Sequence, residues 1–402
     1  MTEGQDGYRA KISEKTPELR WFHRYPARFH GRVVVEILAT VCDKLGMLPG
    51  LVLEPFAGTG SALAAARQMG IPSIGVELTH LGLLIAQVRL NPPDDLTLCF
   101  SIAEELARLK PDDKRFLIPD ELVLWIGIDN ASVLAQYLEK LNRIEDNKLK
   151  NWLQLAISSA LRPSSHWLSG SIKPQTDPNR IPSAIGPNLI RAARALMRDC
   201  TAESCQSDTH APSSVIKGDA RSLPLKTGMV DAVVTSPPYA SMYDYFDVQR
   251  LTYLAFGWKR EQHLQIGRAT RLSVDGVSFM PPALMSEWYY KEYRGEATAD
   301  GRSLRAYIDS MRAHFAEVER VLRPGGILAY AIANSIRRGR PFRLADMLSE
   351  LVSEFAFDKV HAEPRVNSTR RILPAGRDPR TGRFSSASNP AVDEHVIYAI
   401  RN

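Results

Sequence analysis

Residues 51–61, LVLEPFAGTGS, decide how the rest of the chain is read. The run LVLEPF reads as a buried strand, and AGTG as a tight loop that feeds a helix over Ser61–Met69. Gly70 closes that helix as a C-terminal cap. Ser73 to Leu78, SIGVEL, reads as the next strand, and Leu81 to Leu90 as the next helix. Short connections between these elements predict a βαβ unit in a parallel sheet covered on both faces. Gly58 and Gly60 allow a ligand to approach the backbone closely, and the helix N-terminus offers free N–H groups. Glu77, at the end of the second strand, can accept both hydroxyls of a ribose. A dinucleotide fingerprint would place a third glycine where this chain has Leu63.

A second α/β stretch begins near Ser214. Val215 and Ile216 lead into Gly218-Asp219-Ala220, and Val230 to Thr235, VDAVVT, reads as a buried strand. Apolar spacing predicts a helix over Leu304–Leu322, stopped by Arg323-Pro324-Gly325-Gly326, then a strand over Ile327–Ala333. One more helix is expected over Pro341–Phe355. Phe357–Val366 and Glu394–Arg401 read as a closing pair of strands. Two segments interrupt this order, Asn91–Pro212 and Ala240–Arg302. The first predicts helices near Ala131–Ile144 and Lys148–Leu161, followed by a Pro/Ser/Gly-rich stretch at 163–187.

The VDAVVT strand runs into Ser236-Pro237-Pro238-Tyr239. Two prolines make a rigid turn that lacks backbone donors and keeps its carbonyls. The exocyclic amino group of a nucleobase carries two N–H donors and a lone pair delocalised into the ring. Holding both hydrogens turns the lone pair out of the ring plane. The Ser236 hydroxyl and the Pro237 carbonyl are acceptors of the right kind. Tyr239 offers a flat face for a base extruded from its duplex, which costs a few kcal/mol.

Composition narrows the setting. The chain has 402 residues, 44% hydrophobic and 24% charged, too long for one ordinary core. No apolar run reaches the ~20 residues of a membrane span. The start, MTEGQDGYRAKISEK, lacks the apolar run of a signal peptide, so a cytoplasmic location is expected. Four scattered cysteines fit a reducing compartment, and Cys200, Cys205 and His210 lack the second ligand pair of a zinc finger. No metal is expected. The net charge of +6 suits an anionic polymer. Arg365, Arg370, Arg371, Arg377, Arg380 and Arg383 crowd one Gly/Pro/Ser-rich loop with Asp378 as its sole acid.

Together these motifs resemble the SPPY-type DNA amino-methyltransferases, the cytosine-N4 class of the class I methyltransferases that use S-adenosylmethionine. The resemblance implies an α/β, Rossmann-like fold with a mostly parallel sheet, helices on both faces and a helical insertion. It implies that Phe56, Ala57, Gly58, Thr59 and Gly60 form the cofactor loop, with Glu77 as the ribose acid. The stretch His23 to Phe29, HRYPARF, is similar to a family segment that walls the cofactor pocket, Phe29 included. Asp219 and Ala220 match the loop whose acid reaches the cofactor's adenine amino group, and Thr235, expected on the cofactor, leads into the catalytic turn Ser236 to Tyr239. Asp244 and Tyr245, with Arg250-Leu251, match a common continuation. Those two residues, with Arg370 and Arg371, are expected on the nucleic acid. Transfer would be direct, without a covalent enzyme intermediate. In the family, serine at the first turn position leans towards cytosine N4, and Asp or Asn towards adenine N6.

Two features depart from the commonest family pattern. The cofactor loop precedes the catalytic turn, and the 91–212 insertion matches nothing residue by residue. The expected organisation is a cofactor half over 1–90, a mainly helical insertion over 91–212, and a catalytic half over 213–402 interrupted at 240–302. Target recognition is expected in one of the two insertions. The partner is expected to be duplex DNA with a flipped base. A cognate restriction nuclease is left open. Competing readings are an adenine-N6 enzyme, an RNA amino-methyltransferase, an inactive nucleic-acid-binding protein and a nicotinamide-dependent oxidoreductase.

Overall fold

A computed structural model describes residues 20, 22–25, 29–112, 117–204, 211–239, 244–267, 299–337, 340–365 and 394–402. The centre is a seven-stranded sheet. Its strands are β1 (Val52–Glu54), β2 (Ser73–Glu77), β3 (Ser213–Lys217), β4 (Val230–Thr235), β5 (Leu322–Ala333), β8 (Phe357–Arg365) and β9 (Glu394–Arg401). The order is β3-β2-β1-β4-β5-β9-β8. Pairing is parallel from β3 through β5 and antiparallel on both sides of β9, so β9 alone runs against the rest. A separate ladder pairs β6 (Ser335–Arg337) with β7 (Arg340–Phe342). This strand order, with a reversed strand next to the far edge, is the class I methyltransferase fold.

Side chains alternate across the sheet as the pleat demands. Leu53, Val233, Leu328, Tyr330, Ile397 and Ala399 belong to one buried cluster. Their neighbours Val52, Ala232, Val234, Ile327, Ala329 and Tyr398 belong to another. Helices α1 (Gly31–Leu45) and α2 (Ser61–Gln68) cover the second face. Helices α11 (Ala299–Val321) and α12 (Leu344–Val352) cover the first. Helix α3 (His80–Leu90) follows β2 and is apolar nearly all round, because it is sandwiched between the sheet and the insertion.

The insertion is helical, as expected. It holds α4 (Leu96–Ala107), α5 (Asp120–Ile126), α6 (Ile128–Asn142), α7 (Asn147–Leu161) and α8 (Ile185–Ser204). Asp95 caps α4 by accepting the Leu98 N–H, and Asp146 caps α7 from Lys148 and Leu149. Trp152, Trp167 and Tyr137 are fully buried among these helices. The same cluster takes in Leu84, Ile85 and Val88 of α3. Two short helices, α9 (Tyr245–Val248) and α10 (Arg250–Ala255), pack Phe246, Leu251 and Tyr253 onto it.

Several boundaries differ from the sequence reading. The helix expected from Pro341 begins at Leu344, because residues 340–342 pair with 335–337 instead. Strand β5 starts at Leu322 rather than Ile327. The turn at Gly325, with φ of 74°, interrupts its register without ending the pairing. Helices α1, α4 and α8 fall where the sequence reading had named no element. Among the described residues, no helix is long and apolar enough to cross a membrane.

Candidate active site

The chain runs outward from β1 through β2 to β3, then returns to β4 on the other side of β1. In open α/β sheets, such a reversal leaves a crevice at the carboxyl ends of the strands. Leu53 pairs with Val233, so three residues further on the glycine loop at Phe56 and the turn at Ser236 leave the sheet level with each other. Neighbouring strands lie about 4.8 Å apart. The register therefore brings two motifs separated by some 180 residues of sequence to one opening.

A cleft partly open to solvent occupies this position. Phe56, Ala57, Gly58, Thr59 and Glu77 line it, together with Phe29, Asp219, Ala220, Ser236, Pro238 and Tyr245. Gly60, Thr235, Pro237, Tyr239 and Asp244 are not in its wall. Gly60 serves the loop from behind. Its φ is 72°, and a Cβ there would sit 3.0 Å from that of Ala86 on α3. Where a dinucleotide fold uses a third glycine for close helix–strand packing, Leu63 packs against Gly75 of β2. A Cβ on Gly75 would meet the Leu63 side chain at 2.6 Å.

Glu77 is buried, and its carboxylate organises the loop. Oε2 accepts the Gly58 N–H at 2.7 Å. Oε1 accepts the Thr79 N–H at 2.7 Å and the Thr79 hydroxyl at 2.6 Å. Burial raises its pKa, and these donors oppose the rise. Tyr25, beside it, stacks on Tyr245 with ring centroids 5.9 Å apart. Asp219 forms an ion pair with Arg221 at 2.6 Å.

Other expected site residues take different places. The Tyr239 hydroxyl accepts the Ala333 N–H at 3.2 Å, and its side chain packs against the sheet core. The Pro238 carbonyl accepts the Tyr307 hydroxyl at 3.0 Å. Asp244 caps α9 by accepting the Asp247 N–H at 3.0 Å. Tyr245, expected on nucleic acid, lies in the cleft beside Tyr25. Thr235 is wholly buried, its hydroxyl donating to Glu54. Arg370, Arg371 and the other loop arginines beyond Arg365 lie outside the described residues, as do Pro26 to Arg28, Cys205 and His210. Cys200 is buried on α8, and no cluster that could hold a metal occurs among the described residues.

Three groups were missed in the sequence. Glu54 ends β1, is 2% exposed and lines the cleft. Its signal was a lone acid in the apolar run LVLEPF. Arg89 carried a similar signal, a lone cation in LGLLIAQVRL. Its guanidinium donates to the Thr59 carbonyl at 2.5 Å, the Ser61 hydroxyl at 3.2 Å and the Arg20 carbonyl at 2.7 Å. It also pairs with Glu203 of α8 at 3.1 Å, with both side chains buried. His314 is distant in sequence, and nothing there marked it. Its Nδ1 lies 2.8 Å from the Ala220 carbonyl and its Nε2 2.5 Å from the Tyr330 hydroxyl. A proton on Nδ1 satisfies both contacts, and burial lowers its pKa to about 4, so the ring is neutral at pH 7.

Burial pushes the Glu54 pKa up to about 8, against hydrogen bonds from Thr235 and Phe56 that favour the anion. Unfolded, this carboxyl titrates near 4.5. The folded state therefore holds a proton that the unfolded state has lost. Its stabilisation is complete below pH ~4.5 and disappears as pH rises through ~8. Glu54→Gln should remove that slope. Denaturant melts from pH 5 to 9 should show wild type losing up to a few kcal/mol relative to the variant. Parallel curves would mean that Glu54 is already ionised.

Comparison with known proteins adds limited support. No protein-family model matches the chain. The type II methyltransferase M.MjaII of Methanocaldococcus jannaschii is 29% identical over 110 residues, which are 27% of this chain and 20% of that protein. The match thus spans about a fifth of the relative's length. Among solved structures, the rRNA methyltransferase aviRa of Streptomyces viridochromogenes aligns over 94% of this chain and 88% of its own, at 12% identity and a TM-score of 0.31. The glycopeptide N-methyltransferase MtfA, complexed with S-adenosyl-L-homocysteine, aligns over 100% of this chain and 99% of its own, at 11% identity and a TM-score of 0.29. Scores at that level do not establish a shared fold, so the class I methyltransferase fold rests on strand order.

Proposed function

We propose that this protein transfers a methyl group from S-adenosylmethionine to the exocyclic amino group of a base in DNA, with cytosine N4 as the favoured target. The observation that carries the reading is that Ser236 and Pro238 line the same cleft as Gly58, Thr59 and Glu77. The similarity to a type II methyltransferase supports the class of reaction.

The donor set fits the cofactor. Glu77 lies at ribose depth beside the Gly58 turn, and Asp219 lines the wall that would take an adenine. Phe29, Phe56, Tyr25 and Tyr245 offer aromatic faces to a sulfonium, and Glu54 offers a buried carboxyl to a cation. When bound, the cofactor supplies an electrophilic methyl group. The Ser236 hydroxyl, in the cleft wall, accepts one N–H of the target amine, and the Pro237 carbonyl, next in the turn although Pro237 itself is buried and outside that wall, is assigned the other. Holding both hydrogens directs the nitrogen lone pair towards the cleft. The Tyr307 hydroxyl on the Pro238 carbonyl and the Tyr239 hydroxyl under Ala333 hold the turn in place. Rigid support of this kind is worth more than added contacts, because the reacting atoms must meet at about 3–3.5 Å.

Labelled S-adenosylmethionine offered with duplex DNA and with total RNA tests the reading. Mass spectrometry of the digested product should show N4-methylcytosine in the DNA. Label in RNA alone, or none in either, overturns the DNA assignment. N6-methyladenine would retain the chemistry and change the base.

Gly58→Asp should weaken binding of S-adenosylhomocysteine at least about tenfold by calorimetry. Position 58 has φ of 52°, where a side chain costs roughly 1–2 kcal/mol. The new carboxylate would also face Glu77, whose Oε2 holds the residue 58 N–H. Unchanged affinity would move the cofactor elsewhere.

A further inference from the structure

Arg24, Arg162 and Arg180 converge at one end of the insertion. Arg162 follows α7 directly and lies over the Trp167 ring, 4.4 Å from its centroid. It donates to the Ser171 carbonyl. Arg180 donates to the carbonyls of Trp167 at 2.7 Å and Pro163 at 2.9 Å. The Arg24 side is brought in by its neighbour. His23 Nε2 bonds the Ser158 hydroxyl at 2.9 Å, one helical turn before Arg162. Arg24 itself is exposed.

None of the three guanidiniums has an ion-pair partner among the described residues. The nearby carboxylate of Asp177 accepts the Asn179 N–H in its own turn. Burial first, and then the charges of Arg24 and Arg180, lower the Arg162 pKa to about 9. Folding thus gathers like charges without a counter-ion from the described chain. Backbone carbonyls and an indole face fix two of them in place, as suits planar donors that grip phosphate oxygens. Tyr25, next to Arg24, lines the cleft. The cluster is therefore tied to the cleft wall through one peptide bond, that between Arg24 and Tyr25.

We propose that Arg24, Arg162 and Arg180 form a docking surface for the phosphodiester backbone of the duplex DNA whose base enters the cleft. The surface rests on the nucleic-acid reading of the function. It assigns backbone contact to the 91–212 insertion and the segment before α1. It is a positioning surface, since phosphate contacts set register without reading sequence.

The test uses the full chain and a fluorescein-labelled duplex of about 20 base pairs, as DNA and as RNA of the same sequence. Anisotropy is followed between ~50 and ~200 mM salt. Arg24→Glu is exposed and should leave the fold intact. Arg24→Glu/Arg180→Gln extends it, and Arg143→Glu, which reverses an exposed charge already paired with Glu139, is the charge-matched control. Arg24→Glu should bind at least about tenfold more weakly at ~50 mM salt, while the control should not. The plot of log K against log salt should flatten by about 0.9 for each phosphate no longer neutralised. Weakened binding in the DNA arm supports the surface, and weakened binding of RNA alone overturns it as a DNA surface. Wild-type affinity and slope in Arg24→Glu overturn it, and if that variant also methylates DNA normally, the proposed function stands alone. A wild-type protein that binds neither duplex overturns both.

Discussion

Ser236→Ala is expected to lower methyl transfer by a hundredfold or more while cofactor affinity changes by less than about threefold. In the proposed reaction the hydroxyl would touch the amine and not the loop that would hold the cofactor. Ser236 is half-buried in the cleft wall, at the end of a strand whose register is fixed on both sides by β1 and β5. Removing one oxygen leaves that backbone where it is. What disappears is an acceptor aimed at charge that develops on the nitrogen, and a preorganised group of this kind is worth about 3–4 kcal/mol in a transition state. Single-turnover rates with saturating DNA, beside calorimetry with S-adenosylhomocysteine, separate the two quantities. A variant that keeps its rate removes Ser236 from the chemistry. One that loses cofactor binding as well places the residue in the wrong half of the cleft.

Arg89→Met should destabilise the protein by about 3–5 kcal/mol. The substitution keeps most of the side-chain volume and leaves the Glu203 carboxylate buried with one partner fewer. Glu203 retains the Arg20 N–H at 2.7 Å. Burial already raises its pKa against the pull of Arg89, so losing that cation leaves a charge with little compensation. Adding Glu203→Gln should recover much of the loss, because the second change removes the stranded charge. Urea melts of the two single variants and the double variant form the cycle that measures the coupling. A cost below about 1 kcal/mol in Arg89→Met would show that water reaches the pair. The same variant should also bind S-adenosylhomocysteine more weakly, since the guanidinium holds the Thr59 carbonyl and the Ser61 hydroxyl.

The sequence made the sheet legible because its strands are local. LVLEPF, SIGVEL and VDAVVT each carry a continuous apolar run, and the loops after them contain residues with few alternatives. The two chemical motifs could be assigned to one opening because parallel strands set their loops side by side. What stayed hidden depends on distance in sequence. Helix α8 follows a stretch rich in Pro, Ser and Gly, and that composition masked a 20-residue helix. Arg89 looked like one charge in an apolar helix until Glu203, Thr59 and Arg20 came together around it. For Tyr239 the tetrapeptide points to a ring face, and the structure adds what the sequence does not show: the half-buried side chain is anchored by the Ala333 N–H on its hydroxyl. The sequence points Asp244 towards the nucleic acid, and the structure shows its carboxylate capping α9.

Because Phe56 and Ser236 leave adjoining strands at one level, the span that a methyl group would cross in the proposed reaction is set by backbone hydrogen bonding between β1 and β4. Under that reading the peripheral helices could be exchanged or enlarged without altering this span, whereas damage to the pairing itself would abolish transfer to any target.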